Sequence, residues 1–201
     1  MTDPDTVRPG RSPSGMLDDL ARGTTTAGAL AFFDGLAPVD GESLPGFWWG
    51  AGLPTGHVLD GALEALGWAG KRFEPGGDAH PLLFDGAGGG LVDVNPALVP
   101  LPLVLRTAPA LRRPPVARLV RALLPLTRTR APRARVRAVV HRGVVTAAMT
   151  YDALPVEDAL RAVDDDTLVR CMEARGMGRP FFFVLRRATG QDTLPWSSRR
   201  Q

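Results

Sequence analysis

The chain is poor in the residues that most often announce chemistry. It holds one cysteine (Cys171), one lysine (Lys71), one tyrosine (Tyr151) and three histidines. A single cysteine excludes an internal disulfide and fits a reducing compartment. No apolar run approaches the roughly 20 residues that a membrane-spanning helix needs. The N-terminal stretch Met1-Thr2-Asp3-Pro4-Asp5 carries early acid and no apolar core, so it does not read as a secretory signal, and a cytoplasmic location is expected. The glycine-rich segments contain no Gly-Lys-Ser/Thr, which excludes a phosphate loop. No serine stands in a Gly-x-Ser-x-Gly elbow, which removes the usual hydrolase nucleophile.

What remains is globular. Hydrophobic residues make up 44% and charged residues 22% of 201, values of a folded domain with a sizeable core. All basic residues except Lys71 are arginine, and eleven of them fall between Arg106 and Arg142 without one acid. This stretch is interleaved with Pro114, Pro115, Pro125 and Pro132. It lacks the interleaved aromatics or recognisable module of a nucleic-acid face. It therefore reads as a solvated, partly helical connector, with no nucleic-acid partner expected.

The hydrophobic pattern changes period along the chain. Residues 1–13 are polar and read as a disordered tail. Met16-Leu17-Leu20 and Ala27 to Phe33 recur at helical spacing, the second after a threonine cap in Thr24-Thr25-Thr26. Gly46-Phe47-Trp48-Trp49-Gly50 reads as a strand, with glycines two residues either side of Trp48 leaving space for an indole. From His57 to Trp68 the spacing of Val58, Leu59, Ala62, Leu63 and Leu66 predicts a helix. Extended segments follow at Lys71–Phe73, His80–Phe84 and Leu91–Asn95. Two strands meet at Arg142-Gly143, residues 152–163 predict a turn and a short helix, and Thr167–Ala174 with Phe181–Arg187 form a hairpin. Residues 188–201 read as a frayed tail, with Trp196 folding back. Many short strands with few helices predict a mainly β fold, a curled antiparallel sheet or barrel.

Leu44-Pro45-Gly46-Phe47-Trp48-Trp49-Gly50, Gly56-His57, Leu66-Gly67-Trp68-Ala69-Gly70-Lys71 and His80-Pro81-Leu82 resemble the GXWXG domain. Tyr151-Asp152-Ala153-Leu154-Pro155, Val163-Asp164-Asp165 and Met177 through Leu185 resemble the domain of unknown function DUF4334. The first resemblance covers about 30–95 and the second 133–187, with the arginine- and proline-rich connector at 96–132, in one unit of 14–187. The Gly-x-Trp strand is also similar to the opening strands of lipocalin-like and nitrobindin-like barrels. That likeness implies a calycin-type antiparallel barrel with flanking helices, holding a lipophilic ligand or haem. The families themselves imply architecture and no reaction, since fold does not transfer function.

Candidate site residues divide into polar and aromatic sets. His57, at the start of the predicted helix, is a neutral base or electrophile if it faces a pocket, and a loop anchor if it does not. His80, held extended before proline, faces a pocket or a haem iron, or is structural. Lys71 is suited to Schiff-base or general-base work, or forms a salt bridge with Asp60 or Glu64. Asp60 and Asp152 complete the acid–base candidates, while Asp158 and Asp164-Asp165-Asp166 offer partners for Arg142 or Arg161 in a buried network. Cys171 reads as a small buried side chain. Trp48, Trp49, Trp68, Tyr151, Met177, Phe181 and Phe183 are the expected cavity lining, with Trp48 also read as a structural plug at a barrel end. The resulting expectation is a lipophilic partner, of isoprenoid, polyketide or fatty-acyl type, bound without a cofactor. The alternative is a cofactor-independent cyclase, isomerase or hydratase using the same cavity, and a further one is a haem-binding barrel.

Overall fold

Strands that are apolar on both faces need two separate cores, one inside a curled sheet and one outside it. A computed structural model shows both, and describes residues 11–86 and 89–189. In chain order the elements are α1 (Pro13–Ala21), α2 (Thr26–Asp34), β1 (Ala37–Pro38), β2 (Gly46–Gly52), α3 (Ala62–Ala65), β3 (Trp68–Phe73), β4 (Asp78–Asp85) and β5 (Leu91–Asp93). The connector then forms α4 (Leu101–Leu111) and α5 (Pro114–Leu123), before β6 (Ala134–His141), β7 (Val144–Tyr151), β8 (Val156–Asp164), β9 (Thr167–Ala174) and β10 (Phe181–Arg187).

Eight of these strands close an antiparallel barrel in the order β8-β7-β6-β4-β3-β2-β10-β9, with β9 pairing back onto β8. β1 adds to the outside edge of β8 and β5 to β4. The expected mainly β barrel with flanking helices is therefore present. Trp48, Phe73, Met149, Leu160, Phe181, Phe183 and Leu185 point inward as one cluster. The alternate residues Ala159, Val169, Cys171, Phe182 and Val184 point outward, and Leu17 of α1 with Phe32 and Phe33 of α2 cover them. The three consecutive phenylalanines thus divide by the period of two, with Phe182 alone on the outer face.

Both N-terminal helices start as the caps dictate: Ser12 Oγ accepts from Gly15 N–H and Thr25 Oγ1 from Gly28 N–H. Helix α1 therefore begins within the segment expected to be a tail; the remaining tail residues 1–10 and Trp196 lie outside the described residues. Two elements differ from expectation. The helix expected over 57–68 is only the four residues of α3, preceded by a turn at 57–61 and bounded by Gly61 and Gly67, both in the left-handed region. The short helix expected within 152–163 is strand β8, buried on both faces.

The glycines beside the paired tryptophans have a different use from the one expected. A Cβ on Gly50 would lie 2.2 Å from the ring of Trp68 on the neighbouring strand, so Gly50 makes space for Trp68, not for Trp48. Gly70 is forced to be glycine twice over. Its φ is +148°, and a Cβ there would lie 1.9 Å from the Trp48 carbonyl oxygen, at the irregular pairing of β3 with β4. Strands β4 and β6 pair through only Asp78 with Arg135 and Ala79 with Ala134. The connector leaves after β5 and returns at β6, and Val99, Leu101 and Val104 from it pack on the inner cluster.

Candidate functional site

A cavity of about 90 Å³ lies inside the barrel, walled by Leu59, Leu63, Leu82, Leu154, Val156, Met172, Phe181 and Phe183 and covered by the connector residues Val99, Leu101 and Val104. Its aromatic wall is Trp68 with Phe183, edge to face at 5.3 Å. Only Lys71 and Tyr151 interrupt the apolar lining.

Lys71 extends from β3 into the barrel and is 2% exposed. Its Nζ donates to the Pro81 carbonyl and to Tyr151 Oη, each at 3.0 Å, and lies 3.2 Å from Asp158 Oδ2. The rings of Trp68, Tyr151 and Phe183 surround the ammonium with centroids 5.3–5.7 Å away. A second cation, Arg170 of β9, approaches the same Asp158 oxygen at 3.1 Å and stacks between Phe73 and Phe183. Neither Arg170 nor Asp158 is exposed at all.

The charge count of this cluster is unbalanced. Two cations share one carboxylate, and they share one oxygen of it. Among the described residues Asp158 Oδ1 and Arg170 Nε and Nη1 have no hydrogen-bond partner. Polar groups buried this deeply are normally satisfied, so unmet groups call for an explanation. Burial pushes the Lys71 ammonium down to about 8, against the opposing pull of Asp158 and with the help of Arg170. Burial pushes the Tyr151 phenol well above its ordinary value, and the Asp158 charge acts in the same direction. Tyr151 therefore keeps its proton, and among the described residues that proton has no acceptor.

Of the residues singled out in the sequence, Lys71, Trp68, Tyr151, Phe181 and Phe183 meet at this cavity, and the others lie elsewhere. Trp48 is fully buried but outside the lining: Nε1 donates to the Leu44 carbonyl at 2.8 Å, and the Arg187 guanidinium stacks on its ring at 4.2 Å. Trp49 is half-buried on the opposite strand face, edge to face with Phe47 at 4.6 Å. Met177 packs on the cluster from the β9–β10 turn. Lys71 pairs with Asp158 and not with Asp60 or Glu64. Asp60 Oδ2 instead accepts from Thr55 and His57 N–H, and Glu64 from Gly52 N–H. Asp152 is exposed and 3.8 Å from Arg135. The buried acid network uses Lys71 and Arg170; Arg142 pairs with Asp34 on the surface, and Arg161 lies on the outer face against Phe33.

His57 sits in the turn before α3, where its Nδ1 accepts from Leu59 N–H and its ring lies 5.3 Å from Phe181. Burial lowers its pKa, with the Arg179 charge assisting and Asp60 opposing; no helix terminus contributes, because α3 starts five residues later. His80 is buried between two carboxylates, Nδ1 on Asp93 and Nε2 on Glu74 at 2.8 Å. Burial raises the Asp93 carboxyl against the pull of His80. Both ring nitrogens of His80 are thus engaged, and the cavity is too small for a macrocycle, so these residues do not fit haem.

His141, Cys171 and Glu173 form a group that the sequence does not reveal, each presenting one donor atom within 4.8 Å of the others. It is the set among the described residues able to ligate a metal ion. Arg161, which donates to the His141 carbonyl at 3.4 Å, and Arg142 both stand next to it, so the local field opposes a cation. Burial pushes the Cys171 thiol up to about 12. Asp158 and Arg170 are the functional candidates that sequence reasoning passed over as site residues. The signal was an acid and an arginine each standing in an otherwise apolar strand.

The connector arginines are partly structural: Arg112 donates to the Asp60 carbonyl at 3.2 Å. Leu103, Leu119, Leu123 and Leu126 stand exposed beside them. No helix among the described residues is long and apolar enough to cross a membrane.

No curated protein matches the chain. A crystal structure of a protein from Thermomonospora curvata is similar, with 27% identity and a TM-score of 0.65 over 89% of this chain and 99% of that one. Residues 31–89 match the family described as GXWXG protein, and residues 132–187 match the domain of unknown function DUF4334. The chain thus carries a GXWXG segment followed by a DUF4334 segment, the two closing one barrel around Lys71.

Proposed function

We propose that the barrel binds a lipophilic small molecule whose one polar atom, an oxygen, rests on Lys71 Nζ and Tyr151 Oη. The observation that carries this reading is an interior cavity with apolar walls and a single polar floor, the ordinary make-up of a small-molecule site. Its size constrains the ligand. At about 90 Å³ it has room for roughly three waters at the ~30 Å³ each takes in the liquid, well below the roughly 300–1,000 Å³ of sites for drug-sized ligands. A molecule of about four to five heavy atoms fits as the barrel stands. Isoprenoid, polyketide or fatty-acyl ligands enter with displacement of Val99, Leu101 and Val104, which belong to the connector and not to the barrel. A reducing compartment such as the cytoplasm suits the one buried free thiol.

Turnover in the same cavity is the second reading, and the half-satisfied Lys71–Asp158–Arg170–Tyr151 cluster favours it. Perturbed, buried and incompletely paired ionisable groups concentrate at sites of chemistry.

A titration with primary alcohols of increasing length, followed by amide NMR, tests the binding reading. Butanol should give saturable shifts at Leu82, Val104 and Phe183, and longer alcohols should add shifts along α4. Val104→Trp, which fills the cavity, should remove them. Shifts that do not saturate, or that map outside the barrel, would sink the proposal.

A further inference from the structure

The excess positive charge around Asp158 can be relieved in one way that needs no other ion: Lys71 gives up its proton. The residue is then a primary amine at the floor of an apolar cavity, with a phenol on one side and a carboxylate on the other. We propose that Lys71 captures a small lipophilic aldehyde or ketone as a Schiff base, so that the ligand's polar atom is a carbonyl oxygen. This rests on the cavity reading above and adds covalency to it.

The groups around the amine match the steps. A carbonyl whose carbon reaches Nζ at the cavity floor has its oxygen beside Tyr151 Oη, 3.0 Å from Nζ. The nitrogen lone pair forms the N–C bond and the π pair moves to oxygen, which takes the phenol proton. The surplus proton on nitrogen passes to Asp158, whose Oδ1 has no partner among the described residues. The carbinolamine hydroxyl then leaves as water, taking one proton, and the nitrogen lone pair closes the C=N bond. The remaining proton returns to Tyr151. Amine plus carbonyl gives imine plus water, with no oxidant or reductant. Apolar walls favour loss of that water, and Trp68 and Phe183 shield the product from bulk solvent.

The charged and titratable groups facing Lys71 act together. Arg170 from β9 disfavours the ammonium, Asp158 from β8 favours it, and burial outweighs Asp158, bringing the pKa down to about 8. At pH 7 about a tenth of the side chain is then neutral, on the order of 300-fold more than for an exposed lysine. Arginine in its place would stay charged and could not form the imine, which gives a physical reason for one lysine in a chain whose other basic residues are all arginine.

That composition also makes the test clean, because the α-amino group is the only other primary amine of the chain. The protein is treated with butanal and sodium cyanoborohydride at pH 7, and the adducts are located by peptide mass spectrometry. The expected result is one butyl group on Lys71 at a yield at least equal to that of the α-amine. Excess butanol should protect Lys71 at least tenfold and leave the α-amine reaction unchanged. Tyr151→Phe should slow trapping about 100-fold, and Lys71→Arg should leave only the terminal adduct. An alkylated α-amine with an unmodified Lys71 overturns the proposal. If butanol then still binds saturably by NMR, the cavity reading stands and covalency alone falls; if it does not bind, both fall.

Discussion

Replacing Asp158 with asparagine should destabilise the barrel more than any other single change in the polar cluster. The carboxylate is fully buried and stands 3.2 Å from Lys71 Nζ and 3.1 Å from Arg170 Nη2. Asparagine keeps the shape and removes the carboxylate charge that Lys71 and Arg170 share, leaving two buried cations a few ångströms apart. Breaking a buried ion pair from one side costs about 3–5 kcal/mol. A domain of this kind has about 5–15 kcal/mol in total, so Asp158→Asn should lose about a fifth of its stability or more. Lys71→Met is the matched control. It leaves Arg170 and Asp158 as a balanced pair and removes a desolvated ammonium, at the expense of hydrogen bonds to Pro81 O and Tyr151 Oη. The two effects offset to within about 1 kcal/mol. Urea unfolding followed by tryptophan fluorescence reads both, with an unchanged slope confirming a comparable transition. An Asp158→Asn stability within about 1 kcal/mol of the parent, or a larger loss for Lys71→Met, would refute this charge balance.

The pH dependence of stability isolates the lysine. Folded Lys71 holds its proton more weakly than the unfolded chain does, about 8 against 10.5, so its contribution grows as pH rises through that window. Between pH 7 and 9 the parent should gain about 1 kcal/mol relative to Lys71→Met. Raised Cys171 and Tyr151 act oppositely at high pH but cancel in the difference; a flat difference would show that Lys71 titrates normally. Gly70→Ala should cost about 3 kcal/mol or more, because the new Cβ meets the Trp48 carbonyl in a left-handed backbone. Gly50→Ala should cost about 1–3 kcal/mol, since Trp68 must tilt, and should weaken alcohol binding as the aromatic wall moves. Thermal unfolding ranks the two glycine variants, and equal values would refute the distinction.

Local signals in the sequence carried the hairpins and the capped helices. Arg142-Gly143 adopts two positive-φ residues between β6 and β7, which a two-residue turn of that composition requires. Strand β8 was masked because it is buried on both faces. Val156, Ala159, Leu160 and Val163 then fall at helical intervals by coincidence, and Pro155 with Glu157 imitates a helix start. The stripe from Leu59 to Leu66 was real, yet it serves a turn and one helical turn between two glycines. At the site, the single lysine, the aromatic wall and the tyrosine were legible as residue types. Asp158 and Arg170 were not, because Lys71, Asp158 and Arg170 come from β3, β8 and β9, and only barrel closure brings them together. The same closure explains why Trp48, the most conspicuous residue in the sequence, is a structural plug outside the cavity that its neighbour Trp68 lines.

The most direct test of the account is native mass spectrometry of the protein purified from its own host, beside the Val104→Trp variant prepared in the same way. The parent should carry an organic molecule in the barrel, and the filled cavity of the variant should carry little or none. A parent that flies only at its own mass, or a ligand retained equally by Val104→Trp, would contradict it.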